Sequence, residues 1–246
     1  MQQLGDDYKF PPPQSATKEG IVAVGGDLNP LRILEAYKNG IFPWFSDDEN
    51  LMWWSPDPRM ILFPEKIKIS KSFKSFLKKN EYRVSFNENF EDVIESCSNI
   101  KRVNQKGTWI TNGLKQSFIK LHQMGYAHSV EVWQHDVIVG GLYGLDLGNV
   151  FCGESMFSVK SNASKVGLYF LCQELKRNNY RFIDCQVPSQ HLSSLGAVEI
   201  SRDNFLKKLL KSRSNEKIIG IGCTDSSDGL FQALEDLSNA SNCKAI

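Results

Sequence analysis

The chain lacks the short motifs that mark several common enzyme classes. It contains no GxxxxGK[ST] loop, no GxGxxG turn between a strand and a helix, and no GxSxG elbow, so ATP, dinucleotide and serine-hydrolase chemistry have no support. The four histidines lack the i, i+4 spacing of a helical zinc site, and no cysteine pair lies near them. We therefore predict neither a metal site nor a cofactor.

Signals for secretion and membrane insertion are also missing. The six cysteines form no CxxC pair, which favours a reducing compartment over a disulfide framework. No apolar run approaches the roughly 18–20 residues of a membrane span, and the polar first nine residues do not resemble a signal peptide. The net charge of +1 excludes a global bias toward nucleic acid, so any such bias must be local. We expect a soluble cytoplasmic protein without a membrane partner, and a monomer by default.

The composition changes near Pro64, where we predict a domain boundary. Residues 10–64 are rich in Pro, Gly and Trp and contain one well-delimited helix over 31–39, with Asn29 as N-cap and Gly40 as stop. The resulting division is a small N-terminal domain (1–64), a main domain (65–211) and a C-terminal tail (212–246) to which no role is assigned.

The main domain alternates between strand and helix patterns. Apolar periodicity predicts helices over 70–79, 88–98 with Asn87 as cap, 112–124, from Asn162 onward, and 203–211. Strands are predicted over 82–86, 129–133, 137–143, 150–152 and 180–186, the second and third joined by a His135-Asp136 turn. Hairpins together with helical crossovers indicate an α/β fold with a mixed sheet.

The predicted helix over 70–79 is strongly basic. Seven Lys or Arg and two Glu lie between Pro64 and Arg83, and Lys71, Lys74 and Lys78 share one helix face. Such a stripe suits a phosphate backbone, which positions a nucleic acid without specifying its sequence. A solvated helix face with no ligand explains the same pattern.

Aromatic side chains are concentrated in the N-terminal segment. Phe42, Trp44, Phe45, Trp53 and Trp54 lie among prolines and glycines. They can line an apolar pocket or stack on a base, and they can equally form the core of a small domain.

Three polar side chains lie in otherwise apolar strand segments. Asp184 and Gln186 should share one face of their strand, and Glu154 lies between Gly153 and Ser155. A buried carboxylate costs free energy of desolvation unless it is paired or used, so a catalytic role and a structural network both remain open. Glu131, in the Ser-Val-Glu-Val-Trp segment, fits a structural role better.

A series of segments gives the sequence a specific resemblance. They are VGGDL (24–28), GIFPWF (40–45), WWSPDPR (53–59), GTWI (107–110), AHSVEVW (127–133), VGGLYG (139–144), GESMFS (153–158), ASK (163–165), IDCQ (183–186) and SLGA (194–197). In this order and spacing, over residues 10–210, the chain resembles the bacterial leucyl/phenylalanyl-tRNA–protein transferases.

The resemblance implies a fold, an activity and two substrates. The family pairs a small N-terminal domain with a C-terminal domain like that of the N-acetyltransferases. Its members move Leu or Phe from leucyl-tRNA or phenylalanyl-tRNA to proteins that begin with Arg or Lys, which marks these proteins for degradation by the N-end rule pathway. The apolar pocket alone should tolerate Met as well, because one methylene changes binding by only about 1–3 kcal/mol.

The resemblance also implies roles for particular residues. Those that match the amino-acid pocket are Trp44, Trp109, Leu142 and Phe151, of which Trp109 and Phe151 also neighbour the terminal adenosine. Glu154, Asp184 and Gln186 match the polar centre, and the basic helix with Lys71, Lys74, Lys78 and Lys79 matches the acceptor-stem contact. Phe118 and Leu171 stand where the family pattern has Tyr and Phe, which predicts a changed preference between Leu and Phe.

The implied reaction needs no ATP, because the donor is an activated ester. The attacking α-amine has a pKa of about 7.7–8.0 and is partly neutral at cellular pH. We predict that Asp184, oriented by Gln186, anchors this amine and accepts or relays its proton, while Glu154 fixes the acceptor N-terminus or the donor's amino group. Two alternatives remain: an acyl-CoA-dependent N-acyltransferase, although no pyrophosphate-binding Q/R-x-x-G-x-G/A loop precedes the helix at Asn162, and a non-catalytic tRNA-binding adaptor.

Overall fold

The computed structural model describes residues 2–45, 50–100 and 109–212. Its strands are β1 (Gln2–Leu4), β2 (Ile21–Gly25), β3 (Phe42–Pro43), β4 (Met52–Trp54), β5 (Arg59–Leu62), β6 (Arg83–Phe86), β7 (Ala127–Gln134), β8 (Val137–Asp146), β9 (Val150–Ser158), β10 (Phe182–Gln186) and β11 (Val198–Ile200). Its α-helices are α1 (Pro30–Lys38), α2 (Lys71–Leu77), α3 (Phe90–Asn99), α4 (Asn112–Gln123), α5 (Ala163–Arg177), α6 (Gln190–Ser194) and α7 (Arg202–Ser212). Within these ranges, no helix is both long and apolar enough to cross a bilayer.

The strands form two sheets of mixed orientation, as the predicted α/β fold requires. The small sheet has the order β1-β2-β4-β3, and the large sheet has the order β11-β5-β10-β9-β8-β7-β6. Only β9 and β10 run parallel within the described large sheet, and the crossover between them is helix α5. Parallel neighbours of this kind need a long connection, which α5 supplies.

The change from the small sheet to the large one falls earlier in the chain than Pro64. Strand β5 (Arg59–Leu62) lies inside the large sheet, antiparallel to both β10 and β11. The N-terminal segment therefore contributes a central strand to the main sheet. The predicted boundary near residue 64 and the likeness to N-acetyltransferases remain predictions.

Two apolar cores lie on the two faces of the large sheet. On one face, side chains of α1, α3, α4 and the small sheet pack against alternate sheet residues such as Tyr143 and Leu145. On the other face, α2 and α5 pack against the intervening residues, among them Leu142 and Phe151. The alternation of side chains along a strand explains why neighbouring residues of β8 enter different cores.

The helices begin where short polar side chains accept hydrogen bonds from free backbone N–H groups. Asn29 accepts from the N–H of Leu31 at the start of α1, as predicted. The predicted cap Asn87 is wrong: Asn89 caps α3 by accepting from Asp92 N–H, while Asn87 accepts from Ser129 N–H. Helix α5 does begin after Asn162, but that side chain makes no capping bond.

The hairpin of β7 and β8 turns at His135 and Asp136, as predicted, with Gln134 paired to Val137. Its second strand contains glycines where other chain segments approach closely. A Cβ atom added to Gly144 would lie 2.3 Å from the carbonyl oxygen of Cys152 and 2.5 Å from Cε1 of Phe151. Glycine at this position therefore allows β8 and β9 to approach each other beside the Phe151 ring.

We expect Gly144→Ala to lower the free energy of unfolding by about 1–3 kcal/mol, because the added methyl group displaces a backbone carbonyl and a buried ring. Gly153→Ala is the matched control, since the atom nearest to its Cβ would be Cγ2 of Ile183, at 3.6 Å. Urea titrations of both variants measure the effect. Equal stability of the two variants would contradict this account of β8.

Candidate functional site

The central feature of the site is the place where the parallel strands β9 and β10 stop pairing. Their register runs from Val150 opposite Phe182 to Cys152 opposite Asp184, and no pair follows. Strand β9 continues along β8, whereas β10 has an irregular register with β5 between Asp184 and Gln186. The two strands diverge beyond this point, and a cavity opens between them.

The cavity has a volume of about 680 Å³, which is within the range of small-molecule sites. Strands β8, β9 and β10, helices α5 and α6 and the segment around β3 supply its walls. The lining residues are Phe42, Pro43, Trp44, Trp109, Leu142, Tyr143, Phe151, Gly153, Glu154, Ser155, Met156, Leu168, Leu171, Ile183, Cys185, Gln186, Val187, Ser189, His191 and Leu192. Most are apolar, and Glu154 and Gln186 add a polar region.

Glu154 and Gln186 meet across the gap between the diverging strands. The side-chain amide Nε2 of Gln186 donates to Oε1 of Glu154 over 2.7 Å. Gln186 has a φ of 64°, in the left-handed region that residues other than glycine seldom adopt. This backbone conformation places the Gln186 amide beside Glu154, as part of the cavity wall.

The Glu154 carboxyl has an unusual acidity. Burial raises its pKa to about 8, while nearby Tyr37 and Gln186 lower it in part. The Tyr37 hydroxyl, on α1, is close enough to have this influence, although its geometry falls short of a hydrogen bond. Burial and the Glu154 carboxylate in turn raise the pKa of Tyr37 well above its usual range. The raised pKa favours the protonated form of Glu154 at neutral pH.

Asp184 lies behind this polar region rather than in it. Its carboxylate oxygens accept bonds from Nε and Nη2 of Arg59 over 2.8 and 2.7 Å, and Oδ1 also accepts from the N–H of Gln186 over 3.0 Å. The residue is buried and is not among those that line the cavity. Because Arg59 engages both oxygens and Asp184 is outside the cavity lining, this placement does not favour direct contact between Asp184 and a substrate amine, which stays a prediction.

The predicted apolar pocket residues separate into two groups. Trp44, Trp109, Leu142, Phe151 and Leu171 all line the cavity. Phe118 does not: it is fully buried on α4, with its ring 5.3 Å from that of Tyr143 and 6.4 Å from that of Tyr37. A helix residue that follows the apolar period faces a core, and here the core lies behind the cavity wall.

The predicted basic helix lies on the far side of α5 from the cavity. Leu168 and Leu171 of α5 line the cavity, while Tyr169 of the same helix packs edge-on against Phe73 of α2. Lys71, Lys78 and Lys79 are exposed and Lys74 is partly exposed. The lysines therefore face solvent, separated from the cavity by α5. The Nζ atom of Lys79 lies 3.9 Å from Oε1 of Glu81.

Several lining residues escaped the sequence analysis. Met156, Leu168 and Tyr143 have the apolar pattern of ordinary core positions, which gave no reason to single them out. Phe42 belongs to the aromatic cluster of the N-terminal segment, and its sequence context does not distinguish a lining residue from a core residue. His191, whose pKa is lowered by burial and then by Lys165, was considered only as a metal ligand.

Two predictions fall wholly or partly outside what the structure describes. The tail at 212–246 lies beyond the described residues except for the backbone of Ser212, and residues 107–108 of the GTWI segment are also outside them. Among the described side chains, no group of three His, Cys, Asp or Glu residues is placed to hold a metal ion.

Comparisons with known proteins give one consistent result. The family model "Leucyl/phenylalanyl-tRNA protein transferase" matches residues 61–210, and the model of that family's N-terminal domain matches residues 26–57. A leucyl/phenylalanyl-tRNA–protein transferase of Flavobacterium johnsoniae is 53% identical over 213 residues, which cover 87% of this chain and 100% of that protein. The similarly named protein of Flavobacterium psychrophilum is 51% identical over 86% of this chain and 100% of its own length. That of Christiangramia forsetii is 52% identical over 85% of this chain and 100% of its own length.

The acidity of Glu154 predicts a specific pH dependence of stability. The folded-state pKa of about 8 exceeds the ordinary value of 4.5, so the folded chain binds this proton more tightly than the unfolded chain. The stability that the protonated form contributes is fully present below pH 4.5 and is lost as pH rises through 8. We expect Glu154→Gln to lack this loss. In denaturant titrations, its free energy of unfolding relative to that of the wild type should therefore increase from pH 5 to pH 9. Parallel pH profiles for the two proteins would contradict the assignment.

Proposed function

The chain belongs to the leucyl/phenylalanyl-tRNA–protein transferase family, and from this premise we propose that it transfers Leu or Phe from aminoacyl-tRNA to the α-amino group of proteins that begin with Arg or Lys. The observation that carries the proposal beyond the family name is the cavity between β9 and β10, which is apolar over most of its wall and polar at Glu154 and Gln186. Such a site suits an apolar donor side chain beside a reacting amine.

The apolar part of the cavity would hold the donor's Leu or Phe side chain. Trp44, Trp109 and Phe151 supply flat aromatic surface, and Leu142 and Leu171 supply aliphatic surface. We assign the terminal adenosine of the tRNA to Trp109 and Phe151, because aromatic rings stack on bases of any sequence. A pocket of this kind distinguishes side chains by about 1–3 kcal/mol per methylene, so Met is a third possible donor.

The exposed lysines of α2 would contact the tRNA backbone. Lys71 and Lys74 lie on α2, and Lys78 and Lys79 follow directly at its C-terminal end. Phe73 of α2 packs against Tyr169 of α5, whose Leu168 and Leu171 line the cavity. Phosphate contacts of this kind add affinity and orientation without sequence specificity. A tRNA held there could reach the cavity with its single-stranded 3′ end.

The reaction is the aminolysis of an ester, and its atoms balance without a cofactor. The neutral α-amine of the acceptor attacks the ester carbonyl carbon, a C–N bond forms and the C–O bond to the ribose breaks. The proton that the amine loses ends on the released ribose oxygen. Holding amine and ester together supplies most of the acceleration, since effective molarities reach about 10⁵–10⁸ M.

Glu154 is the group that we propose for the proton transfer. Its pKa of about 8 lies near the working pH, where one group can both accept and release a proton efficiently. A positively charged acceptor N-terminus that entered the cavity would favour the ionised form of the Glu154 carboxyl. Glu154 would thereby have a second role, the selection of acceptors that begin with Arg or Lys. The side-chain amide of Gln186 would orient the Glu154 carboxyl. Asp184 would hold the backbone N–H of Gln186 in place from outside the cavity.

We further propose that the enzyme works as a monomer in the cytoplasm. The described cysteines Cys152, Cys172 and Cys185 are thiols rather than disulfides, as is usual in a reducing compartment. Light scattering of the purified chain tests the oligomeric state.

The first prediction is the activity itself. Labelled Leu or Phe should pass from charged tRNA to a peptide that begins with Arg and not to an otherwise identical peptide that begins with Ala.

Joint replacement of Lys71, Lys74 and Lys78 by Gln should raise KM for charged tRNA and leave kcat unchanged. Transfer to neither peptide, despite tight tRNA binding, would support the adaptor alternative; coenzyme A protection in a thermal melt would support the acyl-CoA alternative.

The second prediction concerns the donor side chain. Leu171 lines the cavity, so Leu171→Phe should fill part of it and raise the preference for Leu over Phe by about 10-fold in kcat/KM, as steric discrimination of this kind allows. Phe118→Tyr is the control, because Phe118 is outside the cavity wall and should leave the ratio unchanged. An altered ratio in Phe118→Tyr, with none in Leu171→Phe, would reverse the assignment of the two positions.

A further inference from the structure

We propose that Arg59 is a positioning residue for aminoacyl transfer, which acts through Asp184 on the backbone of Gln186 and so fixes the Glu154 carboxyl in the cavity wall. This inference rests on the proposed function, since it assigns Arg59 to the same reaction. Arg59 does not line the cavity and touches no substrate. It is one of the largest fully buried side chains described in the chain.

Arg59 donates to three hydrogen-bond acceptor atoms at once. Its Nε and Nη2 donate to the two oxygens of Asp184 over 2.8 and 2.7 Å, a fork that fixes the plane of the carboxylate. Its Nη1 donates to the carbonyl oxygen of Gly40 over 3.2 Å. The guanidinium is thus anchored both to β10 and to the end of the N-terminal helix segment.

Two aromatic rings further restrict the guanidinium. Its central carbon lies 4.8 Å from the ring centre of Phe42 and 4.4 Å from that of Phe205. Both distances are in the range of cation–π contacts, which are strongest where water is excluded. Phe42 also lines the cavity, so one ring contacts both the buried ion pair and the proposed donor site.

The position of Asp184 in turn determines the conformation of Gln186. Oδ1 of Asp184 accepts from the Gln186 N–H over 3.0 Å, two residues farther along the chain. The left-handed φ of 64° at Gln186 is unfavourable for a residue other than glycine and persists only where its surroundings enforce it. With the carboxylate fixed by Arg59, the Gln186 amide reaches Oε1 of Glu154 over 2.7 Å.

A chain of contacts therefore leads from Arg59 through Asp184 and Gln186 to Glu154. Each link is a hydrogen bond between groups with little freedom to move, because Arg59 and Asp184 are each 1% exposed. Weakening the Arg59–Asp184 pair should shift the Glu154 carboxyl by a fraction of an ångström and still leave the cavity able to bind substrate. A misplacement of about 1 Å can lower a reaction rate about 10²-fold while substrate binding persists.

A second buried arginine provides the matched control. Arg32 also donates Nε and Nη2 to one carboxylate, that of Asp27, and its Nη groups bind the carbonyl oxygens of Asp7 and Gly5. It too lies over an aromatic ring, 5.0 Å from the centre of Tyr8. None of these partners lines the cavity, so Arg32→Lys reports the effect of weakening a buried arginine on stability alone.

The test compares Arg59→Lys with Arg32→Lys in the full-length enzyme. Lysine keeps the charge but cannot donate in parallel to two carboxylate oxygens. At saturating charged tRNA and Arg peptide, Arg59→Lys should lower the single-turnover transfer rate about 10- to 100-fold, with the Kd for charged tRNA changed less than about 3-fold. Arg32→Lys should transfer at the wild-type rate at any temperature below its Tm.

A second variant keeps the proposal testable if Arg59→Lys does not fold. Phe205→Leu removes one ring from the guanidinium, leaves the ion pair in place and lies outside the cavity wall. It should lower the transfer rate several-fold with unchanged tRNA binding. Wild-type rates in folded Arg59→Lys or Phe205→Leu would overturn the inference, and so would an equal loss of rate in Arg32→Lys. Failure of the wild-type enzyme to transfer would instead overturn the proposed function, and the inference with it.

Discussion

The divergence of β9 and β10 is the constraint on which the site depends. Parallel strands satisfy each other's backbone groups as long as they pair, and beyond Cys152 and Asp184 these two strands no longer do. The space between them is bridged by the side chains of Gln186 and Glu154 and enclosed by α5, which is also the connection that makes the two strands parallel. The crossover that the fold needs and one wall of the cavity are therefore the same helix, since Leu168 and Leu171 of α5 line the cavity.

Two carboxyl groups lie near this divergence in opposite electrostatic settings. Asp184 is paired with a buried guanidinium that neutralises its charge, whereas Glu154 has only neutral hydrogen-bonding neighbours at its side, and burial raises its pKa to about 8. Two nearby carboxyl groups can take different tasks when their environments differ in this way. Asp184, which the sequence analysis assigned to the substrate amine, is the carboxyl group farther from the cavity.

Local sequence patterns predicted helices and turns, whereas contacts between residues far apart in the chain determine which side chains form the site. The helices after Asn29 and Asn162 and the turn at His135 follow from residue types that act within a few positions. Arg59 and Asp184 are 125 residues apart, and nothing local to either one indicates the other. Glu131 shows the same limit: its buried carboxylate accepts from Ser85, 46 residues earlier, so its structural role was predicted correctly without its partner being visible. Phe118 stands at a position that the family resemblance assigns to the pocket, yet helix period alone could not show that the core it enters lies behind the cavity wall.

The N-terminal segment completes the site rather than standing beside it. The carbonyl oxygen of Gly40 and the ring of Phe42 contact Arg59, while the hydroxyl of Tyr37 lies near Glu154. Strand β5, which carries Arg59, is itself a strand of the large sheet between β10 and β11. Because these contacts are buried and mutually dependent, removal of the N-terminal segment would leave the Arg59–Asp184 pair without its Gly40 and Phe42 contacts and the cavity without its Trp44 wall. The smaller part of the chain therefore contributes both to the cavity wall, through Phe42 and Trp44, and to the anchoring of Arg59, through Gly40 and Phe42.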